Sequence, residues 1–529
     1  MLFRSVIAGD PQAEALPAID ILAKLPSVTI APNGRVQLLG KPGVTILIDG
    51  KPGSVEALRT LPGSEIDRIE VMTNPSAQFA ASGSGGVINV ITKQRRKPGL
   101  TGTVTASADS QGGWRVGASP GVTRGAWTFG AGLGANASLS EGHFGSERRR
   151  LGGGGAVISS LRTKTDFTSE TATRSASAKV AYRFEDGGRV SFSANVSGSD
   201  GGGRRRARLT SPDAGFTPYD EVSRNDTEIA TSGAELSYER EGPGAGETLS
   251  ASISYGVSDW DTPSTISIDR RGAVERYRQG QRFASDNLGA KLDYRRQFAR
   301  ERVLNVGGAY NDDGEDVDQS QVSTGGSAFG PDYAWGLRDR RRVTAAYVTW
   351  QFPAGRWTLL PGLRVEAEQL RVRAGGATVR KDRADPFPSL HLRRELGAGW
   401  TLDLSYSRRI DRVQPSNLDP RLYYFSTTSA YAGNPALKPV LSDAYEARLD
   451  WEGDRGRAAS LTVYRRQSSG VLAGLTTLRP DGVYVTTSIN AGGGLDEGAE
   501  LSLRGPLRGG FSYAADRKST RLNSSHTDI

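Results

Sequence analysis

From about residue 100 onward, apolar residues recur at every second position through one hairpin after another, and few folds accommodate that pattern. Ala176, Ala178, Val180, Tyr182 and Phe184 share one face, with Ser175, Ser177, Lys179 and Arg183 on the other. A tight turn, Glu185-Asp186-Gly187-Gly188, follows. Val190, Phe192, Ala194 and Val196 then alternate with Ser191, Ser193, Asn195 and Ser197. The same form returns at Ala346, Val348, Trp350 and Phe352, turns at Pro353-Ala354-Gly355-Arg356 and resumes at Trp357 and Leu359. It returns again at Trp400, Leu402, Leu404 and Tyr406, and at Tyr445, Ala447, Leu449 and Trp451. Such strands have one apolar side each, so they must close as a sandwich or a barrel.

Two details favour an antiparallel transmembrane β-barrel over a soluble sandwich. Aromatics cluster beside the short turns (Tyr182, Phe184, Phe192; Trp350, Phe352, Trp357; Trp400; Trp451), as an interfacial girdle requires. Short Gly-rich turns, such as Arg124-Gly125, Gly397-Ala398-Gly399 and Gly453 to Gly456, alternate with long polar segments expected to be outer loops. The sandwich stays open as a rival, because alternation does not say what the apolar face touches. No apolar stretch is long enough for a membrane-spanning helix, and mean hydropathy is negative. A barrel shows lipid only every second residue, so that low average is compatible with one. Counting gives roughly 17 strands, with Phe511-Ser512-Tyr513 beginning the last, against about 22 in large outer-membrane transporters. The expectation is an incomplete wall that does not close.

The remaining composition mostly excludes functions. There is no cysteine, so no disulfide framework and no thiolate chemistry. The net charge of +9 raises nucleic acid as a partner. The arginines, however, gather at Arg148-Arg149-Arg150, at Arg204-Arg205-Arg206 with Arg208, and at Arg338 with Arg340-Arg341-Arg342, without interleaved aromatics. In outer loops they would meet lipopolysaccharide phosphates, so no nucleic-acid role is assigned. The three histidines (His143, His391, His526) have no ligand spacing, and no nucleophile turn or paired carboxylate stands out. The reading is not an enzyme, with no cofactor and no metal site.

Residues 6–97 differ. Short strands (Val28 to Ile30, Val36 to Leu38, Val44 to Ile48) mix with helical stretches (Ala13 to Leu25, Val55 to Leu61), indicating a small α+β domain before a barrel over 98–515. The fold class is thus mainly β, with an N-terminal α+β domain. Both ends break the pattern. Asp516 to His526 resembles an in-frame translation of a sequencing adapter, and Met1-Leu2-Phe3-Arg4-Ser5 its opposite. Residues 1–5 and 516–529 are read as adapter-derived and the natural chain as truncated at each end, which also accounts for the missing signal peptide.

Three motifs in order then carry a specific resemblance. Val44 to Gly50 with Lys51-Pro52, Ile66 to Ser76, and Gly83 to Lys93 resemble the plug domain of TonB-dependent outer-membrane receptors. Tyr406 to Ile410, Gly433 to Pro439 and Ser442 to Tyr445 are similar to those receptors' loop-to-strand signature. Many relatives have Arg-Gly-Pro where this chain has Thr73-Asn74-Pro75, which suggests a subgroup, and a TonB box is not visible. The resemblance implies an importer of a scarce, large ligand such as a ferric siderophore, in the outer membrane of a Gram-negative bacterium. A non-transporting structural or adhesive barrel is the alternative, and a passive porin would lack the plug motifs. Implied partners are the outer membrane with its lipopolysaccharide, the inner-membrane TonB and an unidentified ligand, for a monomeric receptor. The resemblance also places ligand-facing plug loops at Lys41, Gly43, Asp49, Gly50, Lys51, Pro52, Ser54, Gly63 and Ser64. From a barrel loop, Tyr423, Tyr424, Phe425 and Tyr431 would stack on the ligand.

Overall fold

The computed structural model describes residues 3–6, 16–506 and 512–526, apart from 26, 32–34, 42, 54, 56–57, 59–60, 62, 84, 94–97, 153, 214, 245, 300–301, 325–330 and 427–428. Alternation becomes a closed barrel. Every neighbouring wall pair with a defined register is antiparallel, from Trp127–Leu151 with Val157–Arg183 through to Gly492–Pro506 with Ser512–His526. Three wall strands are interrupted, at 102–103, 119–120 and 262–263, which leaves seventeen among the described residues. The expected strand number is therefore seen, but the expected open wall is not: the last strand lies beside the first. With an odd number those two run in the same direction, a pairing that needs no twenty-second strand.

The lipid belt can be followed on one strand. On Trp127–Leu151 the outward positions are Trp127, Phe129, Ala131, Leu133, Ala135, Ala137 and Leu139, with Leu133 62% exposed. At about 3.3 Å per residue and a tilt near 40°, that run spans about 30 Å, the height of an apolar bilayer core. The same face continues with Glu141, His143 and Glu147, so the strand leaves the hydrocarbon well before it ends. The inward face at this level carries Gly130, Gly132 and Gly134, and a Cβ on Gly132 would lie 2.5 Å from Ser177 Oγ. Close strand packing explains those glycines.

Strand extension also corrects the placement of the arginines. Arg148 to Arg150, Arg204 to Arg208 and Arg338 to Arg342 lie in strands, not loops. Their charge marks where the wall rises out of lipid, and backbone pairing carries on regardless. The tail behaves similarly. Ser512–His526 is a continuous strand across residue 516, and Phe3–Val6 pairs with Arg68 to Val71 as an edge of the plug sheet. The alternation nonetheless stops, because exposed Arg517 lies opposite the lipid-facing Leu501. An arginine near the bilayer midplane costs about 2–4 kcal/mol.

Inside the barrel sits the plug. Its sheet runs Phe3–Val6, Ile66–Met72, Val87–Thr92, Thr45–Ile48, Lys51–Pro52, over a core of Ile19, Leu22, Leu38, Leu58, Ile66, Ile69 and Ile88. The helix is shorter than the sequence pattern suggested, Ala18–Leu22 after Pro17, whose fixed φ suits a helix start. Residues 13–15 of that stretch, and 56–57 and 59–60 of the second, lie outside the described residues.

Val196 is lipid-facing near mid-belt and 55% exposed, whereas Ser193 on the same strand faces the lumen. Val196→Arg should lower folding stability in lipid vesicles by about 2–4 kcal/mol, and Ser193→Arg by much less, measured by urea titration. Equal losses would mean that the outward face does not meet lipid.

Candidate functional site

Wall strands can be read upward from their short-turn ends. By that measure the plug's contacts climb one side of the lumen. Ser27 N–H and Oγ–H donate to Glu500 at 2.9 and 2.5 Å. Thr73 Oγ1 donates to Glu446 at 2.7 Å, and Arg466 donates to the Thr73 carbonyl at 3.2 Å. The Asn74 amide donates to Ser405 Oγ at 2.9 Å and accepts from Ser407 Oγ. Higher up, Ala77 N–H reaches Ser389 Oγ at 3.0 Å and Ala81 N–H reaches Glu366 at 3.0 Å. Ile410 N–H donates to the Ala81 carbonyl at 3.0 Å, and Arg409 donates to the Ser82 carbonyl at 3.2 Å. Lys41 and Asp496 are 3.6 Å apart. All these bonds between described residues fall on six neighbouring strands, from Trp357–Ala374 to Gly492–Pro506.

The wall brings its own buried charges to this seam. Arg364 and Glu366 are 2.5 Å apart, and Arg412 reaches Glu366 at 2.5 Å and Glu368 at 3.1 Å. Arg341 meets Glu368 at 3.0 Å. Four of these five side chains project inward from strands whose outward residues include Val348, Leu363 and Val365, so parity alone puts them in the lumen. Sequence reading missed this lattice. Its signal was there, as charged residues at alternate positions within apolar runs. At the plug's edge Thr73 and Asn74 offer neutral polar groups, and the cation beside them is Arg466 of the wall.

The predicted ligand-facing residues do not come together. Strands Thr45–Ile48 and Val87–Thr92 are parallel, and Ile66–Met72 runs back beside them with Ile66 opposite Thr92 and Met72 opposite Val87. One end of this sheet therefore lies by Asn74 and Ser82, against the wall, and the other carries Ile66 and Thr92. Lys41 and Gly43 belong to the end by Ser82, where Gly43 O accepts from Gly85 N at 3.3 Å. Burial, and then the charge of Arg466, pull the Lys41 pKa below its ordinary value, while Asp496 pushes it up.

Asp49 and Gly50 sit at the opposite end of the sheet. They form the two-residue turn of a hairpin pairing Ile48 with Lys51, with φ of 53° and 79°. Both positive values define the type I′ geometry that Asp-Gly favours. The Asp49 carboxylate accepts from Thr92 N at 2.8 Å and Thr92 Oγ1 at 2.7 Å, so it is a structural group. Lys51 and Pro52 follow at that same end. Gly63 and Ser64 are there too, in the turn ending at Glu65, whose carbonyl accepts from Lys93 N at 2.8 Å. Ser54 lies outside the described residues. The motif told where the chain turns but not which way the turn points.

The aromatic loop forms a roof. Leu422–Ser426 and Ser429–Ala432 join Tyr484–Asn490 and Leu472–Leu478 in a four-stranded sheet. Tyr424 is buried against Leu209, Tyr219, Ile268 and Tyr277 of the wall, so it anchors the roof instead of facing a ligand. Tyr431 OH bonds Asn417 at 3.1 Å and Ser488 at 3.2 Å. Tyr423 is half-buried, which raises its pKa. Phe425 lies on the same strand, and its side chain is outside the described set. Unforeseen at the same level, Arg421 stacks on Trp335 at 4.2 Å. Among the described residues no cluster of His, Asp and Glu could hold a metal ion.

A family model for the outer membrane protein beta-barrel family matches residues 243–520, just over half of the chain. The chain belongs to that family. It lies in the outer membrane of a Gram-negative bacterium. Among solved structures it is similar to the siderophore receptor PirA from Pseudomonas aeruginosa, at 19% identity and a TM-score of 0.60, covering 98% of this chain and 84% of that one. The copper transporter OprC matches at 16% identity and 0.63, covering 98% and 79%. The ferric yersiniabactin uptake receptor FyuA from Yersinia pestis matches at 13% and 0.61, covering 99% and 78%. The fold of this family member, plug within barrel, is that of TonB-dependent outer-membrane receptors.

Glu366 is 2% exposed and balances two arginines while accepting the Ala81 amide. Glu366→Gln should cost about 3–5 kcal/mol, because it leaves buried guanidinium groups short of countercharge. Amide exchange at Ala81 should rise with it. Unchanged exchange and an unchanged urea midpoint would show that the lattice does not hold the plug.

Proposed function

We propose that this protein is a gated importer of the outer membrane, energised by TonB. A ligand enters the chamber between roof and plug, and traction on the plug then opens a path through the lumen. The observation that supports this most is the manner of attachment. The plug has its own apolar core and meets the wall mainly through polar contacts along one side, with one small apolar contact of Ala81 against Phe387 and Ile410. Polar contacts between separately folded parts can be exchanged for water without unfolding either part.

The base of the roof loop is the coupling element. Arg409 and Ile410 touch the plug, Arg412 joins the charge lattice, and Val413 packs with Leu418 and Leu437 against the wall. A ligand that shifts the roof therefore bears on the plug through a few consecutive residues. Of the residues placed at the ligand, Tyr423 and Tyr431 in the roof retain that assignment, and on the plug the turns at Lys41 and Gly43 and at Asp49 to Pro52, with Gly63 and Ser64, remain its proposed counterparts. The relatives' names include a siderophore receptor and a copper transporter, so the cargo class proposed is a chelated metal, with a ferric siderophore as the first candidate.

The absence of native cysteine makes a direct test possible. Ala77→Cys with Ser389→Cys places a thiol pair where plug and wall are in hydrogen-bond contact. Oxidation should abolish TonB-dependent growth on a ferric siderophore panel under iron limitation, and reduction should restore it. Equal uptake with the plug tethered would refute the gated path. A complete lack of uptake of any chelate would favour the structural-barrel alternative.

A further inference from the structure

We propose that the side of the lumen away from the plug seam is a permeation lane for small, uncharged, polyhydroxylated solutes such as simple sugars, open while the plug stays seated. Parity fixes which side chains line it. Phe192, Leu236, Ile253 and Leu292 are exposed on the lipid face, and Val180 lies opposite Phe192. Residues of the other parity on Val157–Arg183, Arg189–Thr210, Tyr219–Glu241, Thr248–Asp261 and Ala273–Ala299 therefore point into the lumen.

Register sorts those inward residues into rows. Uppermost is an apolar ledge, where Ile229 lies opposite Trp260 and Trp260 opposite Phe283. The two rings are 5.7 Å apart, and Trp260 is 45% exposed although it faces inward. The next row is Ser175, Ser197, Thr231, Ser258 and Ser285, one hydroxyl on each of five neighbouring strands. Beneath it come Ser177, Asn195, Gly233, Gly256 and Asn287. The glycines in this row make room for the amides. A Cβ on Gly256 would lie 2.5 Å from Asn287 Oδ1, and one on Gly233 would lie 3.1 Å from Asn195 Oδ1. Both amides thus lie flat along the wall and leave the lumen clear.

Solvent reaches these rows. Ser177, Asn195, Ser285 and Asn287 are exposed despite pointing inward. On the seam side the inward Ser389, Ser407 and Glu500 are 5%, 2% and 4% exposed, because each is covered by the plug that bonds it. The two sides of one lumen therefore differ in what fills them, protein on one and water on the other. On Arg189–Thr210 every inward position from Arg189 to Arg205 is at least partly exposed, a run of about 40 Å along the barrel axis.

The chemistry of the rows selects the solute. Neither the hydroxyl row nor the amide row carries a charge. An anionic chelate would meet no cation there. Hydroxyls and amides both donate and accept, so they can replace the water lost by a solute that is itself covered in hydroxyls. Ser197 and Thr231 already bond each other at 2.6 Å, and each oxygen keeps a further lone pair for a solute. Successive inward rows stand about 5 Å apart along the axis, close enough for a solute to exchange partners from row to row. The Trp260 ledge offers a flat apolar face to the CH side of a sugar ring at the head of the lane. This inference rests on the plug-in-barrel fold and not on the energised-import reading.

The test uses the full chain in lipid vesicles, without TonB, and reads swelling in isotonic glucose and in isotonic potassium glucuronate. Vesicles carrying the protein should swell in glucose well above the protein-free rate, and more slowly in glucuronate. Ala77→Cys with Ser389→Cys, oxidised to tether the plug at its seam, should leave the glucose rate unchanged. Ser197→Arg with Ser258→Arg, which fills the lane from two strands, should lower that rate about fivefold or more. Asp226→Arg, on the outer surface of the same wall, should not. Amide protection from Val190 to Val196 confirms that each variant keeps its wall. A protein-free rate in glucose, with the plug free or tethered, would overturn the proposal while leaving energised import intact. So would glucuronate crossing as fast as glucose, or a folded double Arg variant as permeable as the parent.

Discussion

Nothing in hydrocarbon can take a hydrogen bond from a bare peptide group, so a chain that crosses as strands must pair every one of them with a neighbour. Closure follows from this. An open edge within the lipid belt would leave a row of amides and carbonyls unsatisfied, at several kcal/mol each. The seventeen strands accept a same-direction closing pair for the sake of a wall without edges. The lumen that results is wide and lined by polar positions, because the apolar half of each strand is committed to lipid. A separately folded domain fills part of it.

How that domain is held follows from the same division of faces. Every inward position of the wall is free to carry charge, and on six neighbouring strands it does. Arginine and glutamate balance each other within the wall at Arg364, Glu366, Glu368, Arg341 and Arg412, and the plug adds amides, carbonyls and small polar side chains to that lattice. Buried ion pairs of this kind add little net stability relative to an apolar seam, but removing one partner is severe. The arrangement is therefore rigid at rest and releasable as a unit. Because the lattice runs through residues 409–413 into the roof, the roof and the plug share one mechanical support.

Much of this was legible in the sequence, and the failures have a common cause. The period of two in Val190 to Ser197 is a local property, and it fixed both the strand and the face. The plug motifs were recognised as a set of turns and strands. Which end of the plug each turn occupies depends on the relative direction of Thr45–Ile48 and Val87–Thr92, a long-range fact. Asp49 and Gly50 were accordingly placed beside Lys41 when they lie at the other end. Arginine runs were assigned to loops on polarity, although their alternate burial, as at Arg204 to Leu209, is a strand signature. Tyr424 was chosen for its aromatic ring, and nothing local says that such a ring packs against the wall.

The central claim is that two bodies with different stabilities share one lumen, joined by polar contacts. Hydrogen exchange in lipid vesicles, followed as urea is raised, tests it directly. Amides of Val87–Thr92 in the plug should lose protection at a urea concentration where amides of Val190 to Val196 in the wall are still protected. Simultaneous loss of protection in both segments would contradict the account, because it would mean that plug and wall form one cooperative core.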